Sequence, residues 1–139
     1  MKRGQRISVS VSAAALTAIV FAHSPARSEE LTADEVARLK RLLQPKFLVT
    51  EVIEAAGLAA EKCPGFHIIE DNIEAEFRSA GGSDSDIYTP EFEAMSARGR
   101  ANAMVGYTKK NLAGWCEDMW RFLGPAHPPM VKHTLLKKD

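Results

Sequence analysis

The sequence predicts an all-α fold, a small bundle of four to five helices tied by one disulfide. Three observations predict it. Apolar residues recur at helical spacing through most of the chain after residue 30, and helix-start and helix-stop residues bracket those segments. The chain also holds just two cysteines, Cys63 and Cys116, 53 positions apart. No stretch alternates with a period of two for long enough to make a strand, except "FHII" at 66–69.

The first segment is not part of the bundle. "MKRGQR" carries three cations and no acid, and "ISVSVSAAALTAIVFA" follows without a charge. "HSPARSEE" then places Ala26 and Ser28 three and one residues before Glu29. A basic region, an apolar stretch and small residues at a cut site together predict a signal peptide over residues 1–28. The alternative is a membrane anchor, but the apolar run falls short of the roughly 20 residues a span needs. With no cysteine near the cut, a lipoprotein anchor is excluded. Cleavage removes four of the 18 basic residues and no acid, leaving 14 cations against 18 acids, a net charge of −4. A mildly acidic chain has no electrostatic footprint for nucleic acid. Nothing after the signal is apolar for long enough to span a membrane.

Within residues 29–124, the expected helical domain, each element has a local cause. "LTADEVARLKRLL" opens with Thr32 three residues before Glu35, a capping box, and carries Val36, Leu39, Leu42 and Leu43 at helical spacing. Pro45 interrupts it. "KFLVTEVIEAAGLAAEKC" resumes with an apolar face from Phe47 to Ala60 and stops at Cys63-Pro64-Gly65. "FHIIEDNIEAEFRSAGG" sets Ile69, Ile73 and Phe77 four residues apart and ends at Gly81-Gly82. "SDSDIY" is a loop. Thr89 then caps a helix with Pro90 at its first position and Glu91 and Glu93 in its first turn, where the dipole favours acids. That helix can run unbroken to Leu123, with a kink or break expected near Gly106, before Gly124-Pro125 ends it. Residues 125–139 read as a C-terminal tail.

Export decides the cysteine chemistry. Two cysteines in an oxidising compartment predict a Cys63–Cys116 disulfide. There is no CxxC, and a zinc site needs four ligands, whereas His67, four residues after Cys63, is the one Cys or His near either cysteine. A nucleophilic thiol would need His67 as its base and would leave Cys116 unexplained. The bond staples the end of one helix to the middle of the last. Trp115, Met119, Trp120 and Phe122 around Cys116 then read as core packing, with a ligand pocket as the alternative.

Site signals are few. His67, Glu70, Asp71 and Glu74 share a face and suit a metal, provided the helix starts early; acids there also serve the helix dipole. Asp84 and Asp86 begin a calcium-loop pattern, which fails where Tyr88, Thr89 and Met95 occupy a ligand, the glycine and the bidentate acid. In the tail, His127, Met130 and His133 are ligand types that suit copper. The pairs Glu51/Glu54 and Glu74/Glu76 are what a solvated helix face carries, although a lysozyme-like activity would need two such acids in a cleft. GxSxG, HExxH, a phosphate loop and CxxCH are all missing. The expectation is therefore no enzyme, no cofactor and no resident metal.

The signal peptide, the "EKCPGF" turn, the "TPEF" helix start, the late "WC" and the closing "FLGPAHPPM" resemble a loose group of small exported two-cysteine helical proteins of proteobacteria. That resemblance implies the fold and the disulfide, and it implies no active site. The periplasmic acid-stress chaperones are similar in kind only, as small helical domains with one disulfide. The expectation is an exported binding or interaction protein, chaperone-like in one version, whose partner is an envelope protein or a small ligand. The alternatives are a copper carrier using the His/Met tail and a small envelope enzyme without a recognisable motif.

Overall fold

A computed structural model describes residues 30–139, so the signal-peptide reading of residues 1–28 lies outside the described residues. Ala33–Asp139 forms one unit. Its helices are α1 (Ala33–Leu42), α2 (Pro45–Lys62), α3 (Glu70–Ser79), α4 (Pro90–Lys109) and α5 (Leu112–Leu123). A short 3-10 turn covers Asp86–Tyr88, and strands β1 (Phe66–Ile68) and β2 (Leu136–Lys138) pair antiparallel. The described residues form a small all-α bundle of five helices with one disulfide. None of the described helices is long and apolar enough to cross a membrane.

The bundle is assembled around α2. Pro45 does not merely interrupt a helix but begins this one, since a proline at the first helical position lacks only an N–H that would have no partner. Phe47, Thr50, Ala56, Leu58 and Ala59 are buried along it, and α3, α4, α5 and β1 all pack against it. The approach of α4 is close enough to need a glycine. A methyl group at Gly99 would stand 2.5 Å from the Cα of Glu51. A glycine inside a helix costs about 1 kcal/mol relative to Ala, and here that cost provides the close approach.

Cys63 sits at the C-cap of α2 and Cys116 on the buried face of α5, bonded with their Cα atoms 5.7 Å apart. That spacing lies inside the range a disulfide requires. Trp115 beside it is buried and meets Tyr107 edge-on, with centroids 5.6 Å apart. Trp120 meets Phe66 at 5.5 Å.

Three sequence expectations are corrected. The helix expected from Phe66 starts at Glu70, because Phe66, His67 and Ile68 pair with Lys138, Lys137 and Leu136. The long last helix breaks at Lys110–Asn111 rather than near Gly106. There the Asn111 side chain accepts the Gly114 N–H at 2.7 Å and caps a new helix. Residues 125–139 are not a loose tail. Val131, Leu135 and Leu136 belong to the core, and Lys138 Nζ lies 4.3 Å from the Trp120 ring centroid. A small domain exposes much of its surface, so an extra segment closing the core is worth its ordering entropy.

Two outcomes follow from this packing. Replacing both cysteines, Cys63→Ala with Cys116→Ala, lowers stability in urea unfolding by about 4 kcal/mol or less, as closing a loop of this length implies. Gly99→Ala, a change that favours an isolated helix by about 1 kcal/mol, destabilises this protein in the same measurement by roughly 1–3 kcal/mol. A neutral or stabilising Gly99→Ala would mean that α2 and α4 do not meet at that point.

Candidate functional site

Polar side chains cross the surface between elements and are used up in doing so. Glu51, half-way along α2, faces Arg98 of α4 with Nε to Oε1 at 2.9 Å, and Glu54 accepts from Ser96 at 2.7 Å. The pair Glu51/Glu54 is therefore a seam between two helices rather than a catalytic couple. Glu74 turns to Arg78 at 2.8 Å, while Glu76 turns the opposite way, into the protein.

Glu76 is 3% exposed. Its carboxylate accepts the Lys132 N–H at 3.1 Å, the His133 N–H at 2.9 Å and the His133 ring Nδ1–H at 2.7 Å. A buried carboxylate is tolerated only with such partners. It fixes residues 132–133 against α3, and Asn72 adds a bond to the Thr134 carbonyl at 2.7 Å. No sequence motif announces Glu76, because its donors, two of them backbone groups, lie more than 50 residues away.

The metal-ligand sets that spacing suggests are not assembled. His67 stands on β1, out of phase with α3, and its Nε2 meets Asp139 Oδ1 at 2.8 Å. His127 Nδ1 lies 3.2 Å from the Pro128 carbonyl, His133 is held by Glu76, and Met130 projects to solvent. Among the described residues no group of three or more His, Cys, Asp or Glu is placed to hold a metal ion. Asp86 has a different task from the calcium loop it was weighed for. It accepts Lys46 Nζ at 2.6 Å and the Ser83 N–H and hydroxyl at 2.8 and 2.9 Å, tying the 83–88 loop to the start of α2.

What the polar seams leave open is apolar. Val52, Ala55, Ala103, Met119, Phe122 and Met130 wall a groove of about 280 Å³ between α2, α4, α5 and the chain after α5. A second, wider groove of about 860 Å³ runs along α2 past Leu48, Val49 and Val52 towards Ala80. Val52, Met130 and Val131 line both, so the two form one track divided by a wall. Phe122 is 49% and Met130 85% exposed at its edge. The sequence grouped Phe122 with Trp115 as core packing. The structure separates them, with Trp115 inside and Phe122 on the rim.

The Asp86 contacts set an acid limit on the fold. Lys46 first, and then the two Ser83 donors, hold the Asp86 carboxyl below its ordinary value. A depressed folded-state value means the stabilisation is complete above the unfolded carboxylate range and is lost as pH falls through the folded value. Asp86→Asn accordingly lowers the melting temperature at pH 7, and the difference from the parent shrinks below about pH 4. A gap between the two melting curves that stays constant to pH 2 would remove Asp86 as the cause.

No family model matches the chain, and neither a curated protein nor a solved structure is detectably similar to it. The functional assignment therefore rests on the chemistry of the grooves.

Proposed function

We propose that the chain is an exported binding protein of the cell envelope that holds apolar side chains of another polypeptide in the track along α2. The observation that carries this reading is the groove walled by Met119, Phe122 and Met130. Its volume, about 280 Å³, is just under the range of roughly 300–1,000 Å³ usual for small-molecule sites. One or two side chains fit it better than an entire ligand. Methionine walls are flexible and polarisable, and surfaces of that kind accept varied apolar partners. The neighbouring groove beyond Met130 offers a second position on the same track, as an extended or helical segment requires. Export is supported by the signal-like N-terminus and by a disulfide, which persists in oxidising compartments.

The test is fluorescence anisotropy with labelled peptides of about a dozen residues that differ only in their number of Leu and Phe residues. Affinity should rise with that number. Phe122→Asp and Met130→Asp should each weaken the best peptide at least tenfold, about 1.4 kcal/mol, with the helical circular dichroism unchanged. Both residues are exposed, so loss of fold is not the expected route. Equal affinity for apolar and polar peptides, or undiminished binding by both variants, would overturn the reading.

A further inference from the structure

Helix α1 is mounted with its apolar stripe outward. At about 100° per residue, Val36, Leu39 and Leu43, the last just past the helix end, fall in one sector about 60° wide. Arg38 and Arg41 lie nearly opposite. It is the polar side that meets the bundle. Arg41 Nε reaches Glu91 Oε1 at 3.0 Å, and Arg38, Arg41 and Leu42 line a small cleft with Pro90, Glu91 and Ala94 of α4. No residue of α1 is buried, and Val36, Leu39 and Leu43 are 36%, 43% and 58% exposed. An amphipathic helix ordinarily does the reverse.

We propose that this stripe is the seam of a homodimer, in which α1 of one copy lies parallel to α1 of a second. The spacing of three then four residues is that of a two-stranded seam, with Val36 and Leu43 at one kind of seam position and Leu39 at the other. Leucine at the second kind, with β-branched valine at the first, favours two strands. Glu35 and Lys40 stand on the two flanks of the stripe. In a parallel pair each Glu35 comes beside the Lys40 of the second copy, and the two-fold axis makes that contact twice. Glu35 already has a partner in its own chain; a carboxylate accepts several donors, so the added ammonium is compatible with it. The seam spans only the ten residues of α1 and Leu43, and small interfaces, under roughly 1,200 Å², belong to weak or transient contacts. The dimer is therefore weak, reversible and concentration-dependent. It would carry two α2 tracks on one particle.

Sedimentation of the disulfide-bonded chain from micromolar to millimolar concentration should show a monomer–dimer equilibrium. Leu39→Glu should weaken it at least tenfold with little change in melting temperature, since Leu39 packs against little in the monomer. Lys40→Glu should also weaken it, and the addition of Glu35→Lys should restore it. Leu39→Cys should cross-link between copies under mild oxidation, whereas Glu117→Cys on the exposed side of α5 should not. A chain that stays monomeric to millimolar concentration, or dimerises equally well with Leu39→Glu, overturns the proposal. So does a monomer that floats with phosphatidylglycerol vesicles through Leu39, which would make the occupant a membrane surface. Peptide binding in the α2 track is read separately through Phe122 and Met130, so either proposal can fail without the other.

Discussion

The close contact between α2 and α4 at Gly99 is the constraint on which the remaining packing depends. With no side chain at that position, the two backbones approach until Glu51 and Gly99 touch. Ser96 and Arg98, either side of the turn, can then reach Glu54 and Glu51. The far end of α2 is fixed covalently, because Cys63 at its C-cap is bonded to Cys116 of α5. One helix is thus held by a backbone contact in its middle and a disulfide at its end. α3 and β1 pack against what is left of it.

Closing the core takes the segment after α5, and that segment also shapes the grooves. Leu135 and Leu136 fill the space under β1, while Glu76 receives the backbone of Lys132 and His133. The buried carboxylate is costly to dehydrate, and three donors offset that cost. Between Pro128 and Lys132 the chain passes over α2 and leaves Met130 standing between two hollows. The apolar track is a by-product of how the core is capped. Its exposed walls belong to residues that fixed neighbours hold in place.

Charge is spent in links between elements. Asp86 with Lys46, Glu91 with Arg41, Glu61 with Arg100 and Asp118 with Lys110 each join separate parts of the chain. In each case the carboxyl is held below its usual value, mainly by its cation for Glu61, Asp86 and Asp118, and by a backbone bond ahead of Arg41 for Glu91. Asp86 is buried, whereas the other three pairs are partly or largely exposed and contribute little stability singly. Their larger effect is geometric. The Arg41–Glu91 contact turns the polar side of α1 inward, while Leu39 and Leu43 stay outside.

The sequence by itself determined what depends on neighbours a few residues away. Helical spacing, Thr89 as a cap, Pro90 at a helix start and the Gly81 stop, whose φ is +88°, are all local in origin and read directly from the chain. So is the pairing of two lone cysteines, by elimination. The strand at Phe66–Ile68 showed only as the one stretch, "FHII", that could alternate, and its pairing was not legible, because the partner lies some 70 residues later. Nor was Glu76, whose donors, two backbone N–H groups and the His133 ring, lie more than 50 residues away and follow no side-chain pattern. Asn111 was legible in principle, as a capping residue type, but the surrounding sequence remains helical in pattern. Only the tertiary structure decided which face of α1 points outward and whether Phe122 lies in the core or on a rim. An amphipathic stripe shows that a helix has two sides, and which side is buried is settled by the ion pairs and close contacts made with distant parts of the chain.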